Sequence, residues 1–306
     1  MFRIKDLILL AVMFGSMAAG VYWPTESRRL GPFLSWMLMG MLFLAFLKVL
    51  PGEIWDTLRR YAARLGLLIL AKLVVMPMVV FFLVRKFLPA YSLGLMLLAG
   101  VSTGLSAPFF SGYIGANISL VLAMTVVTTL LLPVSLPLIV KVLVGREVHI
   151  DLIGLVLFLA AMIFLPLLVS IFSRRLLPRT SDWLDRQAYP ISLVLFAGMN
   201  LGAFGLYAPF LREHQSQVLT SILVSCGLGA FLASAGALLF WSSPAPERSA
   251  AAGALGWINN VLVIVLGQYF NDPLTSVLAA LYLVPYYALI IPLGYLAGVG
   301  SRSNNL

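Results

Sequence analysis

Ten apolar stretches, near residues 6–24, 33–50, 65–84, 91–112, 117–144, 151–173, 189–208, 216–241, 249–270 and 274–299, take up most of this 306-residue chain. They are long enough for the roughly 20 helical residues needed to cross a hydrocarbon core about 30 Å thick. No single water-soluble core could bury so much apolar surface, since 61 % of the residues are hydrophobic and 10 % charged, against about 25 % charged in soluble domains. All 11 acidic residues fall in connections or at span ends. Backbone polar groups at membrane depth must be paired within the protein, which makes the spans helical. The expectation is an all-α polytopic membrane protein with ten transmembrane helices. The apolar run from Leu7 to Val21 has the length of a signal-peptide core, but no small-residue cleavage site followed by a polar chain comes after it; it reads as the first span.

The net charge of +9 is topogenic rather than a nucleic-acid stripe, because the basic residues sit in short connections without interleaved aromatics. With ten spans, twelve Lys and Arg residues collect on one side, among them Lys48, Arg59, Arg60 and Arg64, and seven on the other. The richer side stays cytoplasmic, so both termini read as cytoplasmic. The single Cys226 rules out a disulfide framework or a thiolate metal site and reads as a thiol packed in a helix. No Ser-, Gly- or Pro-rich linker separates two folded units. The polar segment Gly145 to Asp151 is the midpoint, with five spans on each side, dividing the chain into 1–145 and 146–306. An odd number of spans per half turns the second half upside down relative to the first, the inverted-repeat plan of many secondary transporters.

Two spans carry features that weaken a helix. In the fourth, Gly100 to Asn117 holds four glycines, three serines, Thr103 and Pro108. Proline removes a backbone donor and glycine supports a helix poorly, so a break is expected near Ser106 to Pro108. The ninth span holds Gly253, Gly256 and the adjacent amides Asn259 and Asn260, at the corresponding place in the other half. A break at membrane depth is tolerated where it lines a wet cavity, and paired interrupted segments point to a transport site. Of the other polar residues in the spans, Asn117 and Thr125 are site candidates, whereas Thr128 and Thr129 read as interhelical hydrogen-bond formers. Trp257 reads as cavity wall or lipid contact, and His149 and His214 as polar connections.

Lys72, in the middle of LLILAKLVVMPM, is the one cation outside a connection. A lysine at mid-membrane costs about 2.5–3.5 kcal/mol on insertion scales, and intramembrane ionisable groups are functional candidates. No span offers an acid to pair with it.

These residues resemble the bile acid:sodium symporter family of organic-anion transporters. The third span is similar to that family's Gln-x-x-x-Met-Pro span, the segment from Gly104 through Asn117 to Pro133 to its fourth and fifth spans, and Gly256-Trp-Ile-Asn259-Asn260 to the Gly-x-Gln-Asn-Ser segment of its ninth. The resemblance implies ten helices in two inverted five-helix repeats, a panel and a core domain each drawn from both repeats, fourth and ninth helices broken and crossing, and a bacterial inner-membrane location. It also implies sodium ligands. The positions of the first ion hold Ala107, Pro108, Val121, Thr125 and Ala254, so only Thr125 is retained; those of the second hold Lys72 and Ile258. Sodium is therefore implied by the family rather than by these residues, and no cofactor is expected. An ammonium at Lys72 has three donors for carbonyls freed by a broken ninth helix, as sodium would coordinate them, and it can release its proton when desolvated.

The leading expectation is a secondary transporter of a small organic anion, with the lipid bilayer and that solute as partners and Lys72, Ser106, Pro108, Asn117, Thr125, Asn259 and Asn260 as the substrate or coupling residues. A metalloid exporter similar to arsenical-resistance permeases would need a cysteine in the fourth span, and Cys226 lies in the eighth. An intramembrane enzyme would need a nucleophile with a base, a carboxylate pair or metal ligands, and no span contains a His or an acid. A receptor role has no signature of its own.

Overall fold

The structure, a computed structural model, describes residues 4–48, 51–145 and 151–298. His149 lies outside the described residues. Within them the chain is all helical, in fourteen helices. In the first half they are α1 Ile4–Tyr22, α2 Pro24–Leu47, α3 Pro51–Arg60, α4 Ala62–Phe87, α5 Pro89–Gly100, α6 Ala107–Tyr113 and α7 Ile118–Leu143. In the second half they are α8 Leu152–Leu176, α9 Pro178–Arg186, α10 Ala188–Glu213, α11 Gln215–Leu239, α12 Ala245–Gly256, α13 Asn260–Tyr269 and α14 Pro273–Leu296. Seven of these (α2, α4, α7, α8, α10, α11 and α14) are long and apolar enough to cross a membrane, and α5 and α13 are shorter apolar helices. The short α3 and α9 are amphipathic connections, each with an exposed tryptophan, Trp55 and Trp183.

Local chemistry sets the helix starts. Pro24, Pro89, Pro178 and Pro273 stand in first turns, where a missing N–H costs nothing. Asn117, Asp151 and Asp272 cap α7, α8 and α14 by accepting from the N–H of Leu120, Gly154 and Leu274 at 3.2, 2.9 and 3.1 Å. Inside α4 the ladder widens to a π turn over Ala71–Val75, with the Met76 N–H reaching back to the carbonyl of Ala71. Pro77, which cannot donate to Leu73, supplies the local reason, and Lys72 lies within the widened turn.

The helices pack as two groups. Helices α1, α2, α8 and α10 pack on one another, while α4, α5 with α6, α7, α11, α12 with α13, and α14 form the second group. The groups meet where α10 lies against α14, α2 against α13 and α8 against α7. Close approach within the first group needs glycine: a Cβ on Gly20 would stand 2.8 Å from Phe204 Cβ and 2.9 Å from the Leu201 carbonyl.

Candidate functional site

The two weakened spans are interrupted and touch at their interruptions. Between α5 and α6 the chain is non-helical over 101–106, and between α12 and α13 over 257–259. The two segments pair antiparallel: Thr103 bridges Ile258, the Gly104 N–H donates to the Trp257 carbonyl at 2.8 Å, and the Asn259 N–H to the Ser102 carbonyl at 2.9 Å. Gly104 is required at this approach, because a Cβ would stand 2.8 Å from the Ile258 carbonyl and 2.9 Å from the Tyr286 hydroxyl. The first break therefore lies upstream of the expected Ser106 to Pro108. Pro108 occupies the first turn of α6, where it starts a helix instead of interrupting one.

Interrupting α12 strands three carbonyls that a continuous helix would have paired with N–H groups four residues on. Each is met by a side chain from a different segment. Thr103 Oγ1 donates to the Ala254 carbonyl at 2.7 Å, Lys72 Nζ to that of Leu255 at 2.9 Å, and Tyr282 Oη to that of Gly256 at 2.8 Å. Lys72 is 0 % exposed, so its head turns into the protein and does not snorkel to an interface, and among the described residues no carboxylate pairs with it. The negative end of α12 is what its amine faces. On the other strand of the crossing, the Thr103 N–H is accepted by Thr128 Oγ1 at 3.1 Å.

Beside the crossing lies a cavity of about 250 Å³ between the two helix groups. The break segments contribute Ser106 and Asn259, the start of α13 contributes Asn260, α14 contributes Tyr286 and Tyr287, and α10 and the end of α2 contribute Phe196 and Lys48. The Ser106 and Tyr286 hydroxyls stand 2.9 Å apart, and the Asn260 amide donates to the Ala279 carbonyl at 3.0 Å. Asn259, 4 % exposed, caps α13 through Oδ1, which accepts from the Leu262 N–H at 3.4 Å, and no described residue bonds its Nδ2. The ten-residue α13 thus begins at the cavity wall, presenting its positive end and a buried amide with donors to spare. Among the described residues, Lys48 is the one charged residue of the lining.

The expected site residues divide accordingly. Ser106, Asn259 and Asn260 line the cavity; Lys72 and Thr125 are held just behind it in the crossing. Thr125 Oγ1 donates to the Val121 carbonyl at 3.0 Å and also lies 3.4 Å from that of Gly104. Asn117 is not in the lining. It joins a separate cluster, with its amide donating to Tyr61 Oη at 3.2 Å, Tyr61 to Glu247, and Arg64 paired with Glu247 at 2.8 Å. Trp257 neither walls the cavity nor meets lipid: it is completely buried, its ring lies over Gly253, and Nε1 donates to the Tyr286 carbonyl at 3.0 Å. Cys226 lies in α11, partly exposed, and His214 stacks on Phe210 at the start of that helix. Sequence reasoning missed Tyr282, Tyr286 and Lys48. The two tyrosines sit in an apolar run that reads as ordinary packing, and Lys48 reads as one more topogenic cation.

The description of the sodium bile acid symporter family matches the chain over residues 35–214. No curated protein gives a match to it.

Proposed function

The chain belongs to the sodium bile acid symporter family, and on that premise we propose that this integral membrane transporter moves a small organic anion by alternating access. In this reading ten spans form two inverted five-helix repeats, residues 1–145 and 146–306, and each broken pair, α5 with α6 and α12 with α13, counts as one span. The helix group of α1, α2, α8 and α10 is the panel and the other group the core. Reporter fusions after residue 145 and at the C-terminus should report opposite sides of the membrane; the same side for both overturns the inverted repeat.

The observation that carries the anion reading is the cavity at the crossing. It combines the spare donors of Asn259, the positive end of α13, the Lys48 ammonium at the rim and the polar side chains of Ser106, Ser192 and Asn260 with walls that are mainly apolar and aromatic. Such a site suits a solute with one anionic end and an apolar body. Uptake into proteoliposomes from a panel of organic anions tests it. Absence of uptake across the panel, with protein that remains folded, counts against an anion.

We propose further that Lys72 takes the place of a coupling cation. Its bond to the Leu255 carbonyl supports this, since a tethered ammonium satisfies a carbonyl that a free cation would otherwise need to reach. Uptake is then expected to be indifferent to replacing sodium with potassium or choline. Lys72→Gln, which keeps a donor but not the charge, should lower uptake or change its pH profile while the protein stays folded. Steep sodium dependence in the wild type, or an unchanged rate and pH profile in Lys72→Gln, removes the role.

A further inference from the structure

Helices α10 and α14 face each other along the boundary between the two groups, and the space between them varies along its length. Toward the start of α10, at Phe196, and the later part of α14, at Tyr286 and Tyr287, they diverge around the cavity of about 250 Å³. Farther along, where Ala203 and Tyr207 meet Ser276 and Ala280, no room is left for a water molecule, and past this seam Tyr207, Pro209 and Phe210 of α10 and Pro273 of α14 line a second cavity of about 460 Å³. Ser276 Oγ and Tyr207 Oη are 3.0 Å apart across this closed seam. The seam is a closed neck between the two cavities, latched by this pair of hydroxyls.

Asn200 stands where the first cavity narrows into the neck. It lies one helical turn beyond Phe196 of the cavity and one turn before Ala203 and Phe204 of the seam, on the stripe of α10 that continues to Tyr207. It is 1 % exposed, and neither atom of its amide has a partner among the described residues. An amide buried without partners costs free energy that no fold has reason to retain for stability alone. Orphaned groups of this kind are few in native proteins, and departures from polar satisfaction are expected at functional sites.

We propose that Asn200 is a substrate-contacting residue on the α10 side of the route, and that Tyr207 and Ser276 latch the half of the route beyond it. This rests on the transporter reading above. When the seam opens, the Asn200 amide passes from an apolar contact to the path of the anion and can donate to its carboxylate or phosphate oxygens. Asn259 and Asn260 face the same path from the opposite group.

Three measurements on the full chain test this. First, Asn200→Leu removes the amide while keeping the volume, so the thermal midpoint of purified protein should stay level or rise. Proteoliposome uptake of whichever panel anion the wild type takes up should fall about tenfold or more. A structural asparagine would do the reverse, and a lowered midpoint or an unchanged uptake overturns the assignment. Second, with Cys226→Ala as background, a cysteine at position 200 should react with a small water-soluble thiol reagent despite its burial, because the open seam exposes it. Third, adding Tyr207→Phe should raise that rate about two- to tenfold, the shift expected from losing one hydrogen bond. A cysteine at 200 that stays inert in both backgrounds overturns the proposal even if no panel anion is transported. Lack of uptake combined with normal labelling would instead indict the anion reading alone.

Discussion

The two interruptions at the crossing solve the same problem by different means. The first, over 101–106, spends six residues outside a helix, and these lay Ser102 and Gly104 against the other strand through backbone bonds. Its downstream helix starts on Pro108, which needs no N–H partner. The second, over 257–259, is half as long and leaves the end of α12 to be closed by imported side chains: Thr103 from the first break, Lys72 from α4 and Tyr282 from α14. One break is built from residues that need little, and the other from residues that give what is missing. A membrane helix can thus be interrupted cheaply by local composition, or by tying several distant helices to one point. The second route also ties those helices to one another.

Substitutions at the crossing sharpen or break this contrast. The largest effect is expected at Gly104, where the strands touch. Gly104→Val places a branched side chain against the Ile258 carbonyl and should cost about 3 kcal/mol, at the upper end of overpacking penalties, with uptake lost; a thermal midpoint near wild type would show that the strands can separate freely. Next come the imported caps. Tyr282→Phe and Thr103→Val each leave a buried carbonyl unpaired and should each cost about 1–3 kcal/mol in denaturation. Lys72→Met removes a donor together with a costly buried ionisable group, and such losses partly offset. It should therefore destabilise less than Tyr282→Phe while impairing uptake more. The opposite ranking would make Lys72 an ordinary cap. A smaller loss of about 1 kcal/mol is expected for Thr128→Val, which deprives the Thr103 N–H of its acceptor. The smallest belongs to Pro108→Ala, within about 0.5 kcal/mol. A large loss there would restore Pro108 as the residue that makes the first break.

Much of this molecule is legible as a string. A hydrophobic pattern repeated over whole spans declares membrane helices, because the bilayer leaves an unpaired backbone no alternative. Gly100, Gly104, Gly253 and Gly256 mark both weak spans, and Asn259 marks the start of α13 because a cap is a local device. The resemblance to the family is legible too, and residues 35–214 match its description. The position of the first break was readable only to within a turn. Proline signals an ended helix and a started one alike, and only the structure puts Pro108 on the starting side.

What the tertiary structure alone decides is which distant group answers which local need. The Leu255 carbonyl is 183 residues from Lys72, and no periodicity links the two. Tyr282 and Trp257 look like any aromatic in an apolar run until the crossing places one against the Gly256 carbonyl and buries the other over Gly253. Asn117, polar and near a weak span, was drawn instead into the Tyr61–Glu247 cluster by the turn it caps. Asn200 is visible in the sequence only as one amide in an apolar helix, and its orphaned state depends on every neighbour that fails to reach it. Helix propensity, capping and membrane burial act over a few residues, so the sequence by itself determines the spans and their weak points. Hydrogen-bond pairing across the crossing, and the shape of the cavity beside it, depend on packing between helices far apart in the chain, and only the assembled fold determines them.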